Sequence, residues 1–178
     1  YAAHFYVVLA VEEEQEQGIT IDITKIEFST VKRHYTIIDA PGHKEFLKNM
    51  ISGASSAEAA ILIIDAQEGV KEQSRKHAYL LSLMGVRQVY VAINKMDLVD
   101  YSEEHFHKIR EEISIYLKKL DIVPEMFIPI SAKAGDNVTK NTENLSWYKG
   151  HTILEAIDRF KKDITIEKKP LRFPIQDV

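Results

Sequence analysis

Apolar runs and helical periodicities alternate along this chain. Ile21 to Ser29 reads Ile-Asp-Ile-Thr-Lys-Ile-Glu-Phe-Ser, the alternation of a half-buried strand. Tyr35-Thr36-Ile37-Ile38 follows the polar turn Val31-Lys32-Arg33-His34, so the two segments are expected to pair as a hairpin. Ala59 to Ile64, Val89 to Ile93 and Met126 to Ile130 are continuous apolar runs, the pattern of strands covered on both faces. Helices are expected between them. One covers Glu45 to Ala54. A second covers Glu72 to Met84, with Ala78, Leu81 and Met84 at helical spacing and Gly85 as its stop. A third, Ser102 to Leu120, carries Phe106, Ile109, Ile113, Tyr116, Leu117 and Leu120 on one face. Thr152 to Phe160 opens with Thr152-Ile153-Leu154-Glu155, a capping box. The β-α-β-α order implies an α/β fold: a mostly parallel sheet, helices on both faces, and one antiparallel edge strand.

Composition narrows this picture. With 178 residues the chain can bury one substantial core. Its 23 basic and 27 acidic side chains leave a formal charge of −4, which argues against a nucleic-acid surface over the whole domain but leaves room for a local patch. Cysteine is absent, which excludes disulfides, thiolate metal sites and a cysteine nucleophile, and fits a reducing cytoplasm. The longest apolar run, Phe5 to Val11, is too short to span a bilayer and lacks the flanks of a signal peptide. From Lys161 the chain becomes charged and Pro-containing. Residues 1–162 are therefore expected to form the main domain, and 163–178 a linker followed by an extended segment.

Three polar clusters directly follow expected strands, where ligands of such sheets bind. Asp39-Ala40-Pro41-Gly42-His43 follows Ile37-Ile38. Its carboxylate can hold a water of a bound Mg²⁺, and its glycine lets a backbone N–H approach a phosphate; the same string also suits a simple turn into a helix. Asn94-Lys95-Met96-Asp97 follows Val91-Ala92-Ile93. One carboxylate can accept both the N1–H and the N2 amino group of guanine, a donor pair that adenine does not present. Asn94 can contact the other edge of the base and brace the loop, and the Lys95 stem can lie across the ring. Ser131-Ala132-Lys133 follows Phe127-Ile128-Pro129-Ile130, and a backbone N–H of that turn can reach the guanine carbonyl oxygen.

The order of these clusters resembles the third, fourth and fifth boxes of P-loop GTPases. Histidine after the glycine, and Gly18-Ile19-Thr20 ahead of the first strand, resemble the translation-factor group within that family. The resemblance implies GTP and Mg²⁺ as ligands. Thr20 would ligate the Mg²⁺ and Asp39 would support it through water. Gly42 would sense the γ-phosphate, and His43 would orient the attacking water. Asn94, Lys95 and Asp97 would select guanine, helped by Ser131 and Ala132. It further implies a β-barrel domain after the linker. The loop Gly-x-x-x-x-Gly-Lys-Ser/Thr that cradles phosphates in this family occurs nowhere in the chain. We therefore expect it upstream of Tyr1. Tyr1 to Val11 is expected to be the helical stretch that the family carries before its first switch, the alternative being the central strand without its loop.

Two branches of the group differ in function. Ile64 to Val70, Asn94 to Ser102 and Asn144 to Glu155 look more like the GTP-hydrolysing large subunit of bacterial ATP sulfurylase, which couples hydrolysis to adenylylsulfate synthesis and pairs with a catalytic small subunit. Asp39 to Phe46 leans towards the elongation factors, which deliver aminoacyl-tRNA to the ribosome. The sulfurylase subunit is the leading expectation and the elongation factor the alternative. A nucleotide-free interaction module follows if the phosphate loop is truly missing. Trp147-Tyr148 suits either an aromatic platform or loop packing, with packing favoured.

Overall fold

A computed structural model describes residues 4–10, 24–40 and 57–161. Six strands form one sheet: β1 (His4–Ala10), β2 (Thr24–Ser29), β3 (His34–Ala40), β4 (Ala59–Asp65), β5 (Gln88–Asn94) and β6 (Met126–Pro129), in the order β2-β3-β1-β4-β5-β6. All neighbours run parallel except β2, which pairs antiparallel with β3 at one edge. The helices are α1 (Glu72–Leu83), α2 (Glu103–Lys118) and the short α3 (Ile153–Ile157). Among the described residues no helix is long and apolar enough to cross a membrane.

Side-chain alternation explains the continuous apolar runs. On β4 and β5, Ala60, Leu62, Ile64, Val89, Val91 and Ile93 join a core cluster with residues of α1 and α2. Ala59, Ile61, Tyr90 and Ala92 join a second cluster with Ala156, Ile157 and Phe160 from α3 and the residues after it. Each strand thus buries both of its faces. The α2 face of Phe106, Ile109, Ile113 and Leu117 is buried as its spacing predicts, and the Ser102 hydroxyl accepts the His105 N–H at its start. The capping box of α3 is formed in both directions, Glu155 N to Thr152 Oγ1 and Thr152 N to Glu155 Oε2. The helix ends sooner than expected, and Phe160 instead stacks on Tyr90, ring centroids 4.2 Å apart. Gly85 stops α1 with a φ of +73°, a conformation that glycine adopts without steric cost.

The amino-terminal segment differs from expectation. His4–Ala10 is not helical; it is the strand between β3 and β4, with Val8 opposite both Ile38 and Ala60. The parallel edges of β3 and β4 each require a hydrogen-bonding neighbour. Phe5-Tyr6-Val7-Val8 has the aromatic and β-branched content that suits one. The centre of the sheet is therefore filled. The expected helix at Glu45–Ala54, the first part of the alternating segment, and residues 163–178 lie outside the described residues.

His77 on α1 is 2% exposed, and its Nδ1 has no hydrogen-bond partner among the described residues. Burial pushes its pKa down from 6.5 to about 4. Between these values the unfolded chain binds the proton more readily than the folded one. Stability should then fall as pH drops through that window, by up to about 1.4 kcal/mol per pH unit from this group. Denaturant titrations at several pH values should show a shallower acid loss in His77→Gln than in the wild type; equal slopes would refute the assignment.

Candidate functional site

The carboxyl end of β5 delivers Asn94 into a tightly specified loop. Lys95 adopts a left-handed φ of 62° and opens a 3₁₀ turn, Met96–Val99. Asp100 and Tyr101 leave that turn with φ of 51° and 53°. Three non-glycine residues in this region cost about 1–3 kcal/mol each and persist only where the surroundings hold them. Met96 supplies part of the hold: its side chain is fully buried, and its N–H donates to Ile130 O at 3.1 Å.

That bond ties the turn to the end of β6, where the second loop begins. Ser131 and Asp136 exchange backbone hydrogen bonds of 3.0 and 3.2 Å, and Gly135 closes the loop with φ of 82°. Ser131 Oγ donates to Asp97 Oδ1 at 2.6 Å and accepts the Ala134 N–H. Asn94 Oδ1 accepts the Ala132 N–H at 3.0 Å. The two motifs, far apart in sequence, are therefore bonded to each other through all four of Asn94, Asp97, Ser131 and Ala132. The Ala132 N–H thus braces Asn94, in the turn from which a backbone N–H is expected to reach a base carbonyl.

Lys95 reveals a residue that the motif reading missed. Its Nζ lies 2.7 Å from Asp65 Oδ2, and the Asp65 side chain is only 4% exposed. The other oxygen of Asp65 accepts the N–H groups of Gln67 and Glu68 at 2.7 and 3.3 Å. Asp65 ends β4 in register with Asn94. The available signal was positional: a polar residue that breaks off an apolar run at a strand end, as Asp39 and Asn94 do. His105 adds support by donating from Nε2 to Ala66 O at 2.8 Å.

Asp39 sits near the end of β3, paired with Leu9 of β1 and Thr24 of β2, at the same end of the sheet. Thr20, Gly42 and His43 lie outside the described residues. Trp147 is loop packing: its ring lies 5.2 Å from that of Phe106, and its Nε1–H donates to Tyr101 O at 2.9 Å.

A parallel sheet with one antiparallel edge, helices on both faces and these two interlocked loops at its carboxyl end has the fold of a P-loop GTPase G domain. The chain belongs to the family described as the elongation factor Tu GTP binding domain, whose model matches residues 6–163. GTP with Mg²⁺ is the ligand of that domain. Elongation factor 1-alpha of Methanopyrus kandleri is 48% identical over 179 residues, covering 98% of this chain and 42% of the relative. That of Thermococcus gammatolerans is 47% identical over 173 residues, covering 97% of this chain and 40% of the relative. The chain thus spans about two fifths of the curated relatives it matches. Among solved structures, the bacterial selenocysteine-specific elongation factor EF-Sec superposes with a TM-score of 0.66 at 25% identity, covering 90% of this chain and 29% of that one. Translation elongation factor SelB from Methanococcus maripaludis, in complex with the GTP analogue GPPNHP, shares the fold with a TM-score of 0.65 at 24% identity, covering 90% of this chain and 35% of that one.

These relatives overturn the expectation of an ATP sulfurylase large subunit with a catalytic small subunit as partner. Within Asn94–Ser102 and Asn144–Glu155, Tyr101 and Trp147 join the two loops.

Proposed function

We propose that this chain is the GTP-binding domain of a cytoplasmic translation elongation GTPase that carries aminoacyl-tRNA to the ribosome. The observation that supports nucleotide recognition best is the 2.6 Å bond from Ser131 to Asp97, which orients a carboxylate edge for the two guanine donors. The choice of elongation rests on the relatives named elongation factor 1-alpha. Asn94 braces the second loop and meets the other edge of the base. Ala132 helps by sharing its N–H with the guanine carbonyl, and the Lys95 stem covers the ring.

At the phosphate end, Asp39 stands where a carboxylate at a strand end can face a hydrated cation, which suits Mg²⁺. Thr20 and Asp39 would hold that ion, which when bound neutralises charge on the phosphates. Gly42 would sense the γ-phosphate through its N–H, and His43 would orient the attacking water. Loss of the γ-phosphate would then release the segments around Thr20 and Gly42, a switch read by the partners.

The intact protein should hydrolyse GTP slowly alone and faster with ribosomes, and should retain aminoacyl-tRNA in its GTP form but not in its GDP form. Filter binding and single-turnover hydrolysis test this. Tight GTP binding with no response to either partner would refute the elongation reading and spare the nucleotide site.

A further inference from the structure

The two base-recognition loops are joined a second time, away from the Asp97–Ser131 bond. Tyr101 Oη donates to Asp136 Oδ2 at 2.8 Å, and Asp136 is 4% exposed. Asp136 is the residue whose backbone pairs both ways with Ser131. Tyr101 belongs to the Asn94–Asp97 loop, its N–H donating to Met96 O at 2.8 Å. A closed ring results: Asp97 to Ser131, Ser131 to Asp136, Asp136 to Tyr101, and Tyr101 back through Met96 to Asp97. Asn144 Nδ2 lies 3.3 and 3.4 Å from the Asp136 oxygens, and Trp147 holds the Tyr101 carbonyl from outside the ring.

On the reading that Asp97 meets guanine, we infer that Tyr101 and Asp136 are positioning residues, a clamp that fixes the spacing of the two loops and thereby sets how long a guanine nucleotide stays bound. The strain of the loop says why a clamp is needed. Asp100 and Tyr101 both occupy left-handed backbone, which side-chain-bearing residues leave when nothing holds them. Freeing the Tyr101 hydroxyl lets that pair relax, and the relaxation reaches Asp97 through the 3₁₀ turn. The electrostatics match the geometry. Burial alone would raise the Asp136 carboxyl, yet hydrogen bonds from Tyr101 and Asn144 hold it below the ordinary value. The hydrogen bond to Asp136, with burial, pushes the Tyr101 hydroxyl up to about 12. Acceptor and donor therefore keep their roles across the neutral range, as a charge-assisted bond requires.

The test uses the intact protein loaded with a fluorescent guanine nucleotide and chased with excess unlabelled nucleotide. Tyr101→Phe, which removes one oxygen, should raise dissociation roughly tenfold, for GDP and GTP alike because the base is common to both. Asp136→Ala, which removes the acceptor, should do the same, and the double variant should add little, since both break one bond. The ratio of guanine to xanthine affinity should stay as in the wild type, because Asp97 is retained. Melting of the nucleotide-free protein, recorded in parallel, separates positioning from bulk stability. Wild-type dissociation from Tyr101→Phe, whether or not its melting temperature falls, would overturn the clamp. Failure of the guanine reading looks different: the wild type itself would show no preference of guanine over xanthine nucleotides.

Discussion

Replacing Asp97 by asparagine is expected to lower GTP affinity by about two to three orders of magnitude and to raise affinity for xanthosine triphosphate. The size follows from one or two buried hydrogen-bond mismatches at about 1–3 kcal/mol each. The direction follows from the structure. Ser131 Oγ donates to Asp97 Oδ1, so an asparagine there keeps its carbonyl on Ser131 and turns its amide nitrogen to the base. That nitrogen opposes the guanine amino group, donor against donor, and suits the carbonyl that xanthine carries instead. Ser131→Ala in the asparagine background should blunt the xanthine preference, because the amide is then free to turn over. Competition binding with GTP, ITP and XTP reads all of this. Unchanged base preference in Asp97→Asn would remove the carboxylate from the base site.

Much of this site was legible because its parts are contiguous strings at strand ends. Asn94-Lys95-Met96-Asp97 and Ser131-Ala132-Lys133 could be read without knowing the fold, and strands β4 to β6 announced themselves as apolar runs buried on both faces. What stayed hidden are pairs made only by tertiary structure. Tyr101 and Asp136 are 35 residues apart, and nothing local in either marks the other. Asp65 and Lys95 likewise meet only in the folded chain. The segment His4–Ala10 failed for another reason: a short apolar run suits a buried helix or a buried strand equally, and its β-branched content was the better guide than family resemblance. The sulfurylase expectation rested on short stretches of resemblance, and it gave way to relatives named elongation factor 1-alpha that match nearly the whole chain.

Asp65 gives the second large effect, this time on folding stability. Asp65→Ala removes a buried acceptor, its side chain 4% exposed, from the N–H groups of the exposed residues Gln67 and Glu68, and also removes a partner of Lys95. The two losses differ in weight. The Lys95 side chain is 41% exposed, so its ion pair is screened and contributes no more than about 1 kcal/mol. The Gln67 and Glu68 N–H groups carry the greater share, at about 1–3 kcal/mol for each that finds no substitute. A total near 3 kcal/mol is expected by chemical denaturation of the nucleotide-free protein. Asp65→Asn keeps an oxygen for the turn while discarding the charge, and should cost about 1 kcal/mol. Lys95→Met should cost about 1 kcal/mol beside Asp65 and close to nothing in the alanine background, so the double-mutant cycle gives a coupling of about 1 kcal/mol. If asparagine proved as damaging as alanine, charge rather than backbone capping would govern the end of β4. Lys95 would then hold the loop chiefly through that ion pair, and raising the salt concentration should loosen nucleotide binding and the fold together.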